Sequence, residues 1–149
     1  MNETNGQSEE AEPQIAELTP CRKNRILIVD DEQSVRDVFS RVVAFHLPNC
    51  RVDLAVNGAE AVSSFRDVHH GIIIMDARMP VMDGEAAFAA IRELCNVENW
   101  VMPSVIFCTG FDPSHEVRNI VAANPAHCVL RKPLDSTILM EAIRARLAR

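Results

Sequence analysis

The stretch Ile72-Ile73-Ile74-Met75-Asp76 gives the clearest sequence evidence for the fold of this chain. Four apolar residues in a row, three of them β-branched, are typical of a strand that is buried on both faces of a parallel sheet. An aspartate follows this run directly, so a charged group is expected where the strand leaves the core. The stretch therefore predicts a central strand with a carboxylate at its end.

Similar apolar runs recur on both sides of this strand, and segments with helical spacing separate them. The predicted strands are residues 26–29, 51–56, 72–75, 105–108 and 128–130, and apolar residues at helical spacing predict a helix after each of them. Five βα units in series predict an α/β fold with a five-stranded parallel sheet. Right-handed crossovers favour the flavodoxin-like strand order 2-1-3-4-5, with helices on both faces.

The amino-terminal segment differs in composition from the rest of the chain. It is rich in Glu, Asn, Gln, Ser, Thr and Pro, and it carries five carboxylates and no basic side chain before Arg22. Its few apolar residues are scattered, so they cannot form a core. The composition predicts an acidic disordered tail over residues 1–24 and a single domain over residues 25–149.

Charge and cysteine content narrow the class of protein. The formal net charge of −6 gives no basis for nonspecific binding to nucleic acid or to a membrane surface. The five cysteines are odd in number and contain no CxxC pair, which favours free thiols in a reducing compartment.

Neither a signal peptide nor an apolar run long enough to span a bilayer is recognised, so a cytoplasmic location is predicted. No DNA-binding pattern follows the last helix, so we expect a stand-alone domain.

Polar side chains follow four of the five predicted strands. Asp30 and Asp31 follow the first strand, Asp76 the third, Thr109 the fourth and Lys132 the fifth. Because ligands bind outside the carboxyl ends of the strands in open α/β sheets, these side chains are expected to form one site.

The residue types in this set suit phosphoryl transfer. Clustered carboxylates repel one another and need a cation, and a site of few oxygen ligands suits Mg²⁺. A carboxylate beside the metal can attack phosphorus, so we assign Asp76 as the nucleophile. Asp30 and Asp31 are expected to hold the metal, Asp31 as a direct ligand, while Thr109 and Lys132 bind phosphoryl oxygens.

Each residue also has a purely structural explanation. An acidic pair after a strand often caps the next helix, and Asp76 alone could cap a turn. Thr109 before a glycine could belong to a turn, and Lys132 alone could be a solvated surface residue. All of these residues are expected at the same edge of the sheet, and this coincidence favours a functional site.

The chain from Arg25 onward resembles the response-regulator receiver family. The matching stretches are Ile-Leu-Ile-Val-Asp-Asp-Glu (26–32), Ile-Ile-Met-Asp-Ala-Arg-Met-Pro-Val-Met-Asp-Gly (73–84), Cys-Thr-Gly (108–110) and Arg-Lys-Pro-Leu (131–134). The resemblance implies Mg²⁺-dependent transfer of a phosphoryl group to Asp76 from a histidine kinase or a His-phosphotransfer protein. It also implies that the backbone carbonyl of Arg78 completes the protein ligands of the metal.

The same resemblance implies a signalling domain rather than an enzyme, because the domain catalyses only its own phosphorylation and dephosphorylation. Its output would be a phosphorylation-controlled interaction with a downstream protein, or the formation of a homodimer. The chain departs from the family at Val129, three positions before Lys132, where Tyr or Phe is usual. The chain contains no Tyr at all.

Three other interpretations agree less well with the sequence. A receiver fold used only as a docking module, or as a phosphate shuttle or sink, fits the missing aromatic residue but not the complete set of site residues. A haloacid-dehalogenase-like phosphotransferase would place an Asp two residues after Asp30, and Glu32 stands there. A nucleotide or flavin binder would need a phosphate-binding loop, and the chain has neither a P-loop nor a GxGxxG motif.

Overall fold

Five strands and five helices alternate along residues 17–149, which are the residues that the computed structural model describes. The parallel strands form one sheet in the order β2-β1-β3-β4-β5, so the predicted α/β class and strand order are confirmed. The strands are β1 (Arg22–Val29), β2 (Arg51–Ala55), β3 (His70–Asp76), β4 (Ser104–Thr109) and β5 (Cys128–Arg131). The helices are α1 (Gln33–His46), α2 (Gly58–Val68), α3 (Gly84–Glu98), α4 (His115–Ala123) and α5 (Ser136–Leu147).

The first strand begins earlier than the sequence predicted. It starts at Arg22, three residues before the predicted start of the domain, while residues 1–16 of the predicted tail lie outside the described residues. The Arg22 N–H donates to the His69 carbonyl at 2.9 Å, and Thr19 forms an isolated bridge with Trp100. Because the first residues of β1 are exposed, they lack the apolar pattern that predicts a strand, and backbone hydrogen bonds hold them instead.

The sheet is buried on both faces, which explains the unbroken apolar runs of its central strands. On one face Leu27 and Ile73 belong to a core that includes buried residues of α2, α3 and α4. On the other face Ile28 and Ile74 belong to a core that includes buried residues of α1 and α5. Successive side chains of a strand point to opposite faces, so every position of these runs needs an apolar residue.

Polar residues fix the starts of four helices. The side chains of Asn57, Asp83, Ser114 and Asp135 each accept a hydrogen bond from a backbone N–H in the first turn of the helix that follows. Such caps satisfy donors that have no partner within the helix. They fix α4 to begin after Ser114 and α5 after Asp135.

All five cysteines are free thiols, as predicted. Burial raises the pKa of the Cys108 thiol to about 12, which keeps it protonated and unreactive at neutral pH. Among the described residues, no helix has both the length and the apolar character needed to cross a membrane.

Gly84 is required by a close backbone contact at the end of β3. Its N–H donates to the Ala77 carbonyl at 3.0 Å, and a Cβ at this position would lie 2.5 Å from the carbonyl oxygen of Asp76. We expect Gly84→Ala to lower the free energy of unfolding by about 1–3 kcal/mol, because the loop must shift to relieve the overlap.

Urea denaturation would measure this loss, and Gly110→Ala is the matched control. A Cβ at Gly110 would meet no atom within 4 Å, so its effect should stay below about 1 kcal/mol. Equal stabilities of the Gly84 and Gly110 variants would contradict the packing argument.

Candidate functional site

The predicted site residues lie together at the carboxyl edge of the sheet. Asp30 follows β1 directly, Asp76 and Thr109 are the last residues of β3 and β4, and Lys132 follows β5. These strands are parallel neighbours in the sheet, so their carboxyl ends open on the same side. Asp31 is the next residue after Asp30 and lies exposed at the rim of the site.

Three carboxylates form the acidic part of the site. Oxygens of Asp30, Asp31 and Asp76 all lie within 4.8 Å of one another. Asp30 and Asp76 are buried, and so much negative charge in so little space is unfavourable without compensation.

Lys132 supplies part of this compensation. Its Nζ lies 2.7 Å from Asp30 Oδ2 and 3.5 Å from Asp76 Oδ2. Burial alone would lower the pKa of the Lys132 ammonium, but the hydrogen bond to Asp30 and the attraction of both carboxylates outweigh it, so the pKa is raised. The ammonium therefore stays charged, between two carboxylates.

Asp30 is held in place by several neighbours. Its Oδ1 accepts from the Glu32 N–H at 3.0 Å, and its Oδ2 accepts from Lys132. The Arg36 guanidinium donates to the Asp30 backbone carbonyl at 2.7 Å. The sequence did not single out Arg36, because its position one turn into α1 is equally consistent with an exposed helix residue.

The pKa of the Asp76 carboxyl is raised, and burial is the main cause. The Arg78 N–H, which donates to Asp76 Oδ1 at 3.2 Å, and the charge of Lys132 act in the opposite direction. A cation beside Asp76 would favour its ionised form, which is the form that can act as a nucleophile.

Thr109 lies beside Asp76 at the end of the neighbouring strand. Its side chain is buried, and its Oγ1 accepts from the Phe111 N–H at 3.1 Å. Its backbone carbonyl accepts from the Lys132 N–H at 2.8 Å, which fixes the end of β5 against the end of β4. The Lys132–Pro133 peptide bond is cis.

The backbone of Arg78 contacts the site, whereas its side chain lies at the protein surface. Its N–H reaches Asp76, while its guanidinium carbon lies 4.2 Å from the centroid of the Phe111 ring. No sequence pattern indicates this stack, because the two residues lie on different loops. The role of the Arg78 carbonyl as a metal ligand stays a prediction.

The acidic cluster fits a magnesium ion. All of its donors are carboxylate oxygens, the ligands that Mg²⁺ prefers, and three protein side chains would leave room for water on the ion. Lys132 carries one positive charge, which cannot balance three carboxylates. A divalent cation would offset the negative charge that remains.

Comparisons with known proteins agree with this geometry. The family described as the response regulator receiver domain matches residues 26–144. A positive alginate biosynthesis regulatory protein of Pseudomonas aeruginosa is 36% identical over 122 residues, which are 80% of this chain and 45% of the regulator. This chain therefore spans less than half of that relative.

Two solved structures are similar in fold. The receiver domain of a Pseudomonas aeruginosa sensor histidine kinase, with a magnesium ion coordinated in its active site cleft, has a TM-score of 0.70 and 26% identity. The match covers 86% of this chain and 100% of that domain. A Saccharomyces cerevisiae receiver domain, solved with a histidine phosphotransfer signaling protein, has a TM-score of 0.73 and 22% identity over 85% of this chain and 90% of that chain.

Proposed function

The chain belongs to the response regulator receiver family of two-component signalling, and we propose that Asp76 accepts a phosphoryl group. The donor is a histidine kinase or a His-phosphotransfer protein. The reaction depends on Mg²⁺, and phosphorylation controls an interaction with a downstream protein.

One observation carries this proposal. The buried Asp76 carboxylate ends the central strand, with a lysine ammonium 3.5 Å away and two further carboxylates within 4.8 Å. The acids provide a metal site and the ammonium provides a fixed positive charge, and Asp76 belongs to the acidic cluster and lies near the ammonium. This is the combination that transfer of a phosphoryl group to a carboxylate requires.

The chemistry follows from the positions of these groups. An Asp76 carboxylate oxygen attacks phosphorus, the new O–P bond forms, and the P–N bond of the phosphohistidine donor breaks. Lys132 Nζ and the Thr109 hydroxyl bind the oxygens of the transferred group. Water reverses the modification by attacking phosphorus, and the Asp76 carboxylate leaves.

Asp30, Asp31, Asp76 and the backbone carbonyl of Arg78 would hold the magnesium ion. When bound, the ion offsets negative charge on the phosphoryl oxygens. Asp31 is exposed and has no hydrogen bond to Lys132 among the described contacts, so it is the carboxylate that is most available to a metal.

The partner class is part of the proposal. The yeast receiver domain solved with a histidine phosphotransfer protein supports such a donor here. We propose no nucleic acid or membrane partner, because the net charge of −6 favours neither. A homodimer formed on phosphorylation is an alternative to the interaction with a downstream protein.

Intact-mass measurement after incubation with acetyl phosphate and Mg²⁺ tests the proposal. The protein should gain one phosphoryl group with Mg²⁺ present and none after the metal is removed with EDTA. A protein that stays unmodified at millimolar donor and metal would overturn the proposal.

A second candidate, a shuttle or sink for phosphoryl groups, is favoured by Val129. This residue packs against the core next to Phe107, at the position where an aromatic residue is usual in the family. A large ring buries about 150–250 Å², and valine much less, so Val129 cannot exchange between buried and exposed positions with a comparable gain.

We therefore expect phosphorylation to change the loop after β4 and to leave the Val129 face almost unchanged. Hydrogen exchange with and without beryllofluoride, a phosphoryl mimic, should show altered protection at residues 109–113. Protection changes across β5 and α5, with none in that loop, would show this expectation to be wrong.

A further inference from the structure

The Arg78 and Phe111 side chains form a stack between the two loops that flank Asp76. The guanidinium carbon lies 4.2 Å from the ring centroid, and 55% of Phe111 is exposed to solvent. Cation–π contacts at exposed positions are weak, so a competing partner can separate this pair.

Both residues of the stack are hydrogen-bonded to groups that would meet a phosphoryl group. The Arg78 N–H donates to Asp76 Oδ1 at 3.2 Å, and the Phe111 N–H donates to Thr109 Oγ1 at 3.1 Å. The stack is therefore tied at one side to the proposed acceptor and at the other to the hydroxyl that would bind the transferred group.

Two other residues near the site that could move on phosphorylation are held in place by packing. Phe107 is fully buried and packs against Phe88, with ring centroids 5.8 Å apart. Val129 lies next to Phe107 and packs against the same core. The side chain of Phe111 is only half covered, and the preceding Gly110 has open space around it.

We propose that the Arg78–Phe111 stack is the element that reports phosphorylation, in place of an aromatic residue at position 129. This inference rests on the proposed function and concerns how the same site is regulated. The phosphoryl group draws the Arg78 guanidinium away from the ring, because a charge-assisted hydrogen bond to phosphate is stronger than an exposed cation–π contact. Thr109 turns towards the phosphoryl group, and the Phe111 backbone moves with it.

The consequence is a two-state surface. In the unmodified protein the Phe111 ring is covered on one face by Arg78. In the phosphorylated protein the ring is uncovered and presents an apolar contact to a downstream protein. Phosphorylation biases one arrangement over the other by its differential contacts with Arg78 and Thr109.

Quenching of a Phe111→Trp variant by acrylamide, a neutral quencher, tests this inference, with beryllofluoride and Mg²⁺ as the probe. The quenching constant should rise about twofold on addition of the mimic, because the indole loses its guanidinium cover. In the wild type the only tryptophan is Trp100, which precedes β4 at the opposite edge of the sheet, so its quenching should not change.

A second variant tests whether the change in quenching depends on the stack. Phe111→Trp combined with Arg78→Met should be quenched strongly without the mimic and should not respond to it. Acetyl phosphate labelling of the same proteins separates the two possible failures. If the Phe111→Trp single variant is labelled but its quenching is unchanged by the mimic, the stack is not the reporter, whereas proteins that accept no phosphoryl group overturn the proposed function itself.

Discussion

Asp76→Asn is expected to abolish labelling by acetyl phosphate completely. The amide has almost the same shape as the carboxylate but lacks the anionic oxygen that attacks phosphorus. Its oxygen can still accept from the Arg78 N–H, and Lys132 keeps its 2.7 Å bond to Asp30. The variant should therefore fold like the wild type, and a loss of labelling would report lost chemistry.

Asp67→Asn is the matched control for this substitution. Asp67 is an exposed carboxylate in the last turn of α2, and it is not part of the acidic cluster. Intact-mass measurement should find one phosphoryl group on the control and none on Asp76→Asn. Equal labelling of the two variants would remove Asp76 as the acceptor.

Mg²⁺ is expected to raise the melting temperature by several degrees. The clustered carboxylates are less favourable without a cation, and a ligand that binds only the native state stabilises it by mass action. A metal concentration of ten times Kd contributes about 1.4 kcal/mol. For a domain of this size that free energy corresponds to a shift of about 3–8 °C.

Asp31→Asn is expected to reduce this shift. Asp31 is exposed and is not one of the two carboxylates paired with Lys132, so its replacement removes a ligand without breaking an internal ion pair. Without metal, the variant should be at least as stable as the wild type, because one repulsive charge is gone. Thermal unfolding with Mg²⁺ and with EDTA measures both effects, and a wild type indifferent to millimolar Mg²⁺ would contradict the metal site.

Most of the fold could be predicted because both faces of its central strands are buried. A run such as Ile72–Met75 has no room for polar residues, and its composition therefore shows its position in the sheet. Where burial does not determine the sequence, the prediction fails. The exposed first residues of β1 carry no such signal, so the sequence placed the start of this strand too late.

The site was predictable for a related reason. Parallel strands place their carboxyl ends at one edge, so Asp30, Asp76, Thr109 and Lys132 could be brought together from their positions after the strands. The distances among them, and the support of Asp30 by Arg36, depend on side-chain conformations that no spacing specifies. The Arg78–Phe111 stack joins two loops whose relative placement only the folded chain defines.

Borohydride trapping shows which residue carries the phosphoryl group. Reduction of an aspartyl phosphate by sodium borohydride converts that aspartate to homoserine, which peptide mass spectrometry can locate. After incubation with acetyl phosphate and Mg²⁺, we expect homoserine at position 76 and at no other position. Homoserine at position 30 or 31 with Asp76 intact, or a phosphoryl group found on a histidine, would rule out Asp76 as the acceptor.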